Sequence, residues 1–366
     1  MERNVAILLS RQPLCPTGNS PWVRQSALAV RWVKENSYRL VSSADMQTWE
    51  LLTTLGSIHQ VPLRLIIDGH NTDVNSLSTS VISRFDLQSD LTVLDVLCDV
   101  NTPRAKALRM NNRDKAVVDA ADLIVPISIS PDGDMAKLLE KAAALGKEVC
   151  RDFEVPYSFR ENPIAYRISP DELNPTVRSI ADRYVTHWTR CCHTHWPDER
   201  PFDYYRDIAN SEEYPRSAIE TLKHIVVTGF IRGSTRHMPA NLPCVSFSNA
   251  PPEELLPLMR WRARYRQMSF EPYGVGIRRD VALRAGIEPV QYVERVERKS
   301  GADTKLWLQQ TRGRKTDWRR EKEYRHRGDF TLKQIAPDDL ILFCRTTKEA
   351  ERLRQSFGLK VIPFVA

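Results

Sequence analysis

The chain has 366 residues, of which 42% are hydrophobic and 27% charged, a composition typical of a folded protein rather than a disordered or fibrous one. At roughly 100–200 residues per domain, this length predicts two domains, and no apolar run approaches the ~18 residues that a membrane span requires. The seven cysteines are an odd number scattered along the chain. They argue against a secreted disulfide framework, so we expect a cytoplasmic protein without a membrane partner.

The charge is unevenly distributed along the chain. The first 150 residues carry 16 basic and 17 acidic side chains, whereas the rest carry 37 and 29. Residues 295–327 alone contain twelve basic and five acidic side chains. Such an excess favours a polyanion such as nucleic acid, with a solvated basic face as the alternative. The expected phosphate contacts are Arg312, Arg314, Lys315, Arg319, Arg320, Arg325 and Arg327.

Apolar β-rich runs alternate with stretches of helical apolar spacing over the first 150 residues. This βαβ order implies a parallel sheet with right-handed crossovers, whose ligands sit at the carboxyl ends of the strands. We therefore expect a Rossmann-like α/β domain over residues 1–150. The predicted strands are 5–10, 39–43, 63–68, 91–97, 123–129 and 148–150, and the predicted helices are 22–36, 46–59 and 135–145.

Three stretches of this region resemble the DprA/LOG-like (SLOG) Rossmannoid domains: VAILLSRQ, RLVSSAD, and the long run from RMNNRDKAVVDAADLIVPISIS to ALGKEV. In that family the long run is an Arg-rich turn, a strand, a glycine-containing loop, a helix and a final strand. Family members bind nucleotides or nucleic-acid phosphates there. This chain has serines where the family has its first glycines, so a scaffold without a ligand is the alternative. The resemblance implies nucleotide-binding roles for Ser10, Arg11, Ser42, Ser43, Arg109, Arg113, Ser130, Gly133 and Asp134.

Residues 151–185 are rich in proline and polar residues and predict a linker. We expect residues 186–366 to form a second, basic α+β domain with a mixed or split antiparallel sheet. Near its start a cluster of cysteine and histidine invites a zinc site, but its spacing matches no closed tetrahedral pattern, so no metal is assigned. The expected base pocket is formed by His187, Arg190, Ser246, Ser248 and Trp318, with a capping loop as the alternative. The weak metal candidates are Cys191, Cys192, His193 and His195.

The remaining sequence predicts a helix over 217–228, a strand over 244–248 and a helix over 250–265, followed by the FEPYG turn and the EKEYRHRGD block. Glu271 and Tyr273 are expected at a strand end as general base and orienter. Glu321 and Glu323 are expected to share one face of a strand, beside Arg325. Cys244 is a candidate nucleophile. The alternatives are a buried small hydrophobe for Cys244 and a structural ion pair for Glu323.

The blocks VSFS, YGVGI and EKEYRHRGD are similar to domains of bacterial phage-defence and DNA-modification islands, some with an ADP-ribosyltransferase-like split sheet. By that analogy Arg236 or His237, Ser246 or Ser248, and Glu323 would line a cofactor cleft. The whole arrangement also resembles an accessory enzyme of 7-deazaguanine DNA-modification clusters.

That second resemblance implies a DNA-directed, hydrolase-type enzyme that hydrates a nitrile on a 7-deazaguanine base. Its partners would be modified or single-stranded DNA and other proteins of the same cluster. The alternatives are an NAD-using ADP-ribosyltransferase-like effector and a non-catalytic nucleic-acid-binding protein. The sequence assigns no cofactor.

Overall fold

The computed structural model describes residues 3–69, 73–97, 106–159, 166–236, 238, 241–294, 305–311 and 318–365. The chain divides into two compact units. Unit 1 comprises Met1–Glu161 and His193–Pro215, and unit 2 comprises Asn162–Cys192 and Arg216–Ala366. This division differs from the expected boundaries, because residues 193–215 pack with the first unit and residues 162–185 with the second. Within the described ranges, no helix is long and apolar enough to cross a membrane.

The helices of the described residues follow in chain order. They are α1 (Pro21–Glu35), α2 (Gln47–Ile58), α3 (Val74–Phe85), α4 (Lys106–Ala120), α5 (Asp134–Ala144), α6 (Pro175–Ile180), α7 (Pro201–Asn210), α8 (Ala218–Thr228), α9 (Pro252–Leu255), α10 (Arg279–Arg284) and α11 (Thr347–Phe357).

The strands of the first sheet are β1 (Asn4–Leu9), β2 (Arg39–Ser42), β3 (Leu63–Asp68), β4 (Thr92–Leu97), β5 (Leu123–Ser128) and β6 (Glu148–Val149). The later strands are β7 (Tyr184–Trp188), β8 (Phe230–Ile231), β9 (Cys244–Ser248), β10 (Trp261–Arg262), β11 (Gln267–Met268), β12 (Gly274–Arg278), β13 (Glu288–Pro289), β14 (Gln291–Val293), β15 (Gln309–Thr311), β16 (Glu323–Arg327), β17 (Phe330–Thr331), β18 (Leu340–Cys344) and β19 (Lys360–Pro363).

Unit 1 is built on a six-stranded parallel sheet in the order β4-β3-β2-β1-β5-β6, which confirms the Rossmann-like α/β class. Its central strands are continuous apolar runs such as NVAILL and LIVPIS, as expected for strands buried on both faces. The strand order reverses between β1 and β5, so the loops after these two strands meet at the crossover point of the sheet. The predicted strands and helices of this unit are confirmed to within one or two residues.

The expected Arg-rich turn of this unit is wrong. Arg109 and Arg113 lie on the helix α4. This helix is mostly polar, and its narrow apolar stripe includes Val117 and Val118. Because the two arginines are four residues apart, they project from the same helix face. The helix α4 therefore presents both cations at one edge of the sheet.

Unit 2 is built on a mixed sheet in the order β13-β16-β9-β7-β12-β18-β19, antiparallel except for the last pair. Alternation along the strands separates its two faces. Val245, Phe247 and Tyr324 lie on one face, in a core with α8 and α11. Ser246 and Glu323 lie on the opposite face, which also carries a smaller apolar cluster around Ile341 and Phe343. The second face carries the polar groups of interest.

The helix expected over 250–265 is wrong. The chain forms only the four-residue α9 and a 3-10 turn at Leu256–Leu258, and then turns into the β10–β11 hairpin. Pro257 has no backbone N–H to continue the α-helical hydrogen bonds, so the chain passes into a 3-10 turn there and leaves helical geometry at Met259. Leu255, Leu258 and Met259 are nevertheless buried, as the apolar pattern predicts.

Candidate functional site

Two neighbouring strands of unit 2 bring a polar cluster onto one face of the sheet. Glu323 on β16 lies opposite Ser248 on β9, and Arg325 lies opposite Ser246. The Ser246 hydroxyl donates to Glu323 Oε1 at 2.8 Å. The Ser248 hydroxyl donates to the backbone carbonyl of Glu321. The serines of β9 therefore hold both acidic residues of the EKEYR block in place.

Arg325 is buried and fully engaged. Its Nε donates to Glu323 Oε1 at 2.8 Å and its Nη2 to Oε2 at 3.0 Å, a fork that fixes the carboxylate. Its Nη1 donates to the carbonyl of Trp307 at 2.8 Å, and its Nη2 also donates to Gln310 Oε1 at 2.6 Å. The side chain is therefore a structural clamp. Its expected contact with a DNA phosphate is wrong.

Glu321 differs from Glu323 in both position and chemistry. It ends a 3-10 turn at Trp318–Glu321 and precedes β16, so the expectation that the two carboxylates share a strand face is wrong. Burial, followed by the nearby charge of Glu323, raises the pKa of Glu321 to about 7, and the cationic Arg262 and Arg260 oppose that rise. Glu321 can therefore both hold and release a proton near neutral pH.

The β10–β11 hairpin carries alternating arginines in the sequence RWRARYR, residues 260–266. Arg262 donates Nε to Ser269 Oγ at 2.8 Å, which secures the hairpin across its turn. At the tip, Tyr265 is 39% exposed. The guanidinium carbons of Arg236 and Arg264 lie 5.4 and 5.8 Å from the centre of its ring. Burial and neighbouring Arg260 lower the pKa of Arg262.

Three arginines at this hairpin have no carboxylate within ion-pair distance among the described residues. Across the described part of the chain, no carboxylate forms an ion pair with Arg236, Arg260 or Arg264. All three side chains are exposed. We call the four residues Arg236, Arg260, Arg264 and Tyr265 the arginine–tyrosine surface. The charges of Arg260 and Arg262 lower the pKa of Glu321, so the acid lies within electrostatic range of this hairpin.

The other expected phosphate contacts divide into two groups. Arg319, Arg320 and Arg327 are exposed, at the 3-10 turn before β16 and at the end of that strand. Arg312, Arg314 and Lys315 lie outside the described residues, as does the side chain of Trp318.

Glu271 and Tyr273 are not an exposed catalytic pair. Glu271 is buried, and its carboxylate accepts the Tyr166 hydroxyl and, at 2.6 Å, the Cys191 amide. The Tyr273 hydroxyl donates to Glu349 Oε1 at 2.9 Å rather than to Glu271. Burial, then the charge of Glu349, raises the pKa of Tyr273 well above its usual range. The expected base and orienter are therefore wrong, and both groups serve the core of unit 2.

Cys244 is also unsuited to nucleophilic attack. Its side chain is 2% exposed and packs with Trp307, Leu308 and Leu242. Burial raises the pKa of its thiol, which disfavours the reactive thiolate. The expected nucleophile is therefore wrong, and Cys244 is a small core residue.

The expected base pocket is divided by the sheet. His187 packs edge-on against Phe247 at 5.8 Å, on the core face, whereas Ser246 and Ser248 face the other way. Its Nδ1 lies 2.8 Å from the Ser246 carbonyl, so Nδ1 carries the proton and donates. Burial lowers the pKa of His187 to about 4. His187 is a half-buried, neutral residue on the core face, and its expected place in one pocket with Ser246 and Ser248 is wrong. Arg190 is exposed at the end of β7.

The residues implied as nucleotide ligands in unit 1 also differ in accessibility. Ser42 and Ser43 are fully buried, with hydroxyl bonds to Thr53 and to the carbonyl of Ile66. Arg113 is buried against Asp114 and the carbonyl of Ala44. The predicted nucleotide contacts of these three residues are wrong, because their polar groups are buried and bond to other groups of the protein.

The crossover point retains five of the implied ligands. The Ser10 hydroxyl accepts the Ser130 amide at 2.9 Å, and Gly133 precedes α5 with its nearest neighbour atoms on Ser130 and Ser10. Arg11 and Asp134 are exposed beside them. Arg109 lies elsewhere, paired with Asp68 at 2.8 Å at the end of β3. The serine turn after β1 therefore bonds to the loop after β5.

The cysteine and histidine cluster is divided between the units. Cys191 and Cys192 belong to unit 2, where the Cys192 amide donates to the carbonyl of Arg216. His193 and His195 belong to unit 1, where they line a pocket beside Arg109.

The arginine–tyrosine surface does not follow from the helix predicted over residues 250–265. A helical interpretation of residues 250–265 distributed its arginines around a helix, whereas a hairpin collects them at a tip with Tyr265. Pro257 and the every-second-residue spacing of Arg260, Arg262, Arg264 and Arg266 are the signals that predict it.

No family profile and no curated protein matches this chain. Among solved structures, DNA processing protein A from Streptococcus pneumoniae is similar over 40% of this chain and 49% of its own, with 10% identity and a TM-score of 0.30. The Helicobacter pylori protein, described for its single-stranded DNA binding mode, is similar over 40% of this chain and 63% of its own, with 13% identity and a TM-score of 0.29. The chain thus spans between about half and 63% of these proteins. Nothing in these comparisons concerns 7-deazaguanine clusters.

Proposed function

We propose that unit 2 binds single-stranded DNA through the arginine–tyrosine surface. The observation that carries the proposal is the exposed Tyr265 ring, with the guanidinium carbons of Arg236 and Arg264 lying 5.4 and 5.8 Å from its centre. An aromatic ring that stabilises a core is buried, whereas a stacking platform for bases has to be open to solvent. Cations beside the ring add attraction to phosphates and release counterions when the strand binds.

The cations support the same function. Arg236, Arg260 and Arg264 have no acidic partner within the described ranges, so their charge is available to a polyanion. Self-repulsion among such cations costs free energy unless an anion neutralises them. Arg319, Arg320 and Arg327 add exposed positive charge in the same unit.

We further propose that Glu321 acts on a base held at this surface. Half-buried beside Arg260 and Arg262, and with a pKa of about 7, it is populated in both protonation states at neutral pH. Glu323, clamped by Arg325 and Ser246, supplies the fixed negative charge that helps to keep the proton on Glu321. This pairing suits proton transfer to and from a reacting base.

Hydration of a nitrile on a 7-deazaguanine base is the specific reaction that we propose. Because Cys244 is buried, water is the nucleophile. As its oxygen bonds to the nitrile carbon, one C–N π bond breaks and its electron pair moves to the nitrogen. The oxygen gives one proton to the Glu321 carboxylate, and Glu321 then passes that proton to the nitrogen, which yields an imidic acid. Tautomerisation then gives the amide. The reaction adds one water and needs no cofactor.

Binding is tested by fluorescence anisotropy with a labelled single-stranded oligonucleotide. We expect Tyr265→Ala to weaken binding about tenfold, since stacking on one base contributes ~1–3 kcal/mol, and Tyr265→Phe to bind as the parent chain does. Arg264→Ala should reduce the slope of the logarithm of the binding constant against the logarithm of the salt concentration by about one. The matched control is Arg352→Ala, an exposed arginine on α11, which packs on the opposite face of the sheet. Equal loss in Arg352→Ala and Arg264→Ala would contradict a specific surface.

Chemistry is tested by nucleoside mass spectrometry on DNA that carries the nitrile base, with plain DNA plus NAD in parallel. We expect the modified nucleoside to gain the mass of one water, and Glu321→Gln to abolish this gain while oligonucleotide binding persists. Unchanged nucleosides with consumption of NAD would favour the transferase alternative. Unchanged nucleosides and unchanged NAD would favour a protein that only binds DNA.

A further inference from the structure

Unit 1 contains a pocket of about 430 Å³ where the carboxyl ends of β2 and β3 meet the start of α2 and one face of α4. The volume is in the range of small-molecule sites. Asp45, in the turn after β2, and Asp68, the last residue of β3, contribute carboxylates to it. Because β2 and β3 are parallel neighbours, both carboxylates open at the same edge of the sheet.

The electrostatics of this pocket disfavour a phosphate. Its two arginines are occupied, Arg109 by Asp68 at 2.8 Å and Arg113 by Asp114 at 2.8 Å and by the carbonyl of Ala44. The acidic lining residues also have basic partners, because Asp68 pairs with Arg109 and both Asp45 and Glu50 pair with Arg84. Neither lining arginine could therefore bind a phosphate without giving up its present partner.

The backbone of Asp45 is fixed by its neighbours, while its side chain stays partly exposed. Its backbone has φ of 63°, in the left-handed region that aspartate tolerates better than most residues. Its amide lies 3.3 Å from Glu50 Oε1 and donates to it, and Arg84 lies 3.8 Å from its carboxylate. Glu50 is itself fixed by the Tyr205 hydroxyl at 2.9 Å. The Asp45 side chain remains 55% exposed, so its oxygens can accept hydrogen bonds from a ligand.

The remaining walls suit a flat heterocycle with polar edges. Met46 and Met110 provide polarisable thioethers, which pack well against ring faces. His193, Thr194 and His195 provide ring nitrogens, a hydroxyl and backbone groups that can bond to ring edges. An acid after the second strand of a nucleotide-binding α/β sheet is a general solution for binding ribose hydroxyls.

We propose that this pocket binds an uncharged ribonucleoside, with the sugar hydroxyls on Asp45 and Asp68 and the base between the methionine side chains. The site is distinct from the phosphate turns expected at the crossover point, since Ser10, Ser130 and Gly133 do not line it, whereas Arg109 and Arg113, which the resemblance also implied as ligands, do. It is also independent of the DNA-binding function proposed for unit 2, because every lining residue belongs to unit 1.

The test is isothermal titration calorimetry of the full chain with adenosine, guanosine, cytidine and uridine. Each nucleoside that binds is then compared with its 2′-deoxy form and its 5′-monophosphate. We expect at least one ribonucleoside to bind, and its 2′-deoxy form and monophosphate to bind at least tenfold more weakly. Failure of all four ribonucleosides, or equal or tighter binding of the monophosphate or the 2′-deoxy form, would overturn the proposal.

Variants locate the site. Asp45→Asn keeps the shape of the side chain but removes its charge, so we expect about tenfold weaker nucleoside binding and a smaller penalty for the monophosphate. Asp119→Asn, an exposed acid on α4 that does not line the pocket, is the matched control and should bind like the parent chain. Thermal melting of both variants checks that they fold. Nucleoside binding unchanged in folded Asp45→Asn would overturn the assignment. DNA binding by unit 2 is measured separately, so failure of one proposal leaves the other standing.

Discussion

Removing the Arg325 guanidinium should destabilise unit 2 strongly. Arg325→Met keeps an unbranched side chain of similar length in a position that is 1% exposed, but it leaves the Glu323 carboxylate without its two-point partner. It also leaves the Trp307 carbonyl and the Gln310 side chain without a donor. Breaking a buried ion pair on one side costs about 3–5 kcal/mol. For a folding unit of this size, that loss lowers the melting temperature by roughly 10 °C.

Differential scanning calorimetry of the full chain measures this loss. Arg327→Met is the matched control, because Arg327 is exposed two residues further along the same strand, and its effect should stay within about 0.5 kcal/mol. A double variant that pairs Arg325→Met with Glu323→Leu should recover part of the lost stability, since no buried charge then remains unpaired. Melting of Arg325→Met within 2 °C of Arg327→Met, by order of magnitude, would refute the structural clamp.

Three further predictions concern titration and reactivity. The pKa of Glu321 is about 7 in the folded chain and 4.5 ordinarily, so the free energy of unfolding should fall as pH rises from about 4.5 to 7, and urea titrations of Glu321→Gln should lack that fall. Burial lowers the pKa of His187 from 6.5 to about 4, so the free energy of unfolding should fall as pH drops from about 6.5 to 4. In urea titrations, His187→Asn should reduce this fall. Peptide mapping after iodoacetamide should find Cys244 unmodified in native protein and modified in urea, and Cys244→Ala should keep any base-modifying activity; rapid native labelling would contradict its burial.

The sequence predicts unit 1 well because its elements are defined by local periodicity. Continuous apolar runs such as NVAILL predict strands buried on both faces, and helical spacing over 22–36 predicts α1. The helix α4 was missed because its buried stripe is narrow and its exposed faces are rich in charge and asparagine. Its two arginines were therefore predicted to lie in a turn and not on a helix.

The candidate sites are harder to predict because they depend on which side chains neutralise each other. The sequence places Glu323 near Arg325. The structure, in which β16 pairs with β9, shows that Arg325 binds Glu323, and that the pKa of Glu321 is raised to about 7. Similarly, Glu271 and Tyr273 are two residues apart, yet they bond to Tyr166 and Glu349, which lie far away in sequence. Distant partners of this kind leave no local pattern.

The most direct test of DNA binding by unit 2 is photocrosslinking of the full chain to a single-stranded oligonucleotide that carries 5-iodouracil, followed by mass spectrometry of the crosslinked peptides. If bases stack on the arginine–tyrosine surface, the principal crosslink should map to the hairpin peptide that contains Tyr265, and Tyr265→Ala should abolish it. Crosslinks confined to unit 1, with none in the hairpin, would contradict the proposed function.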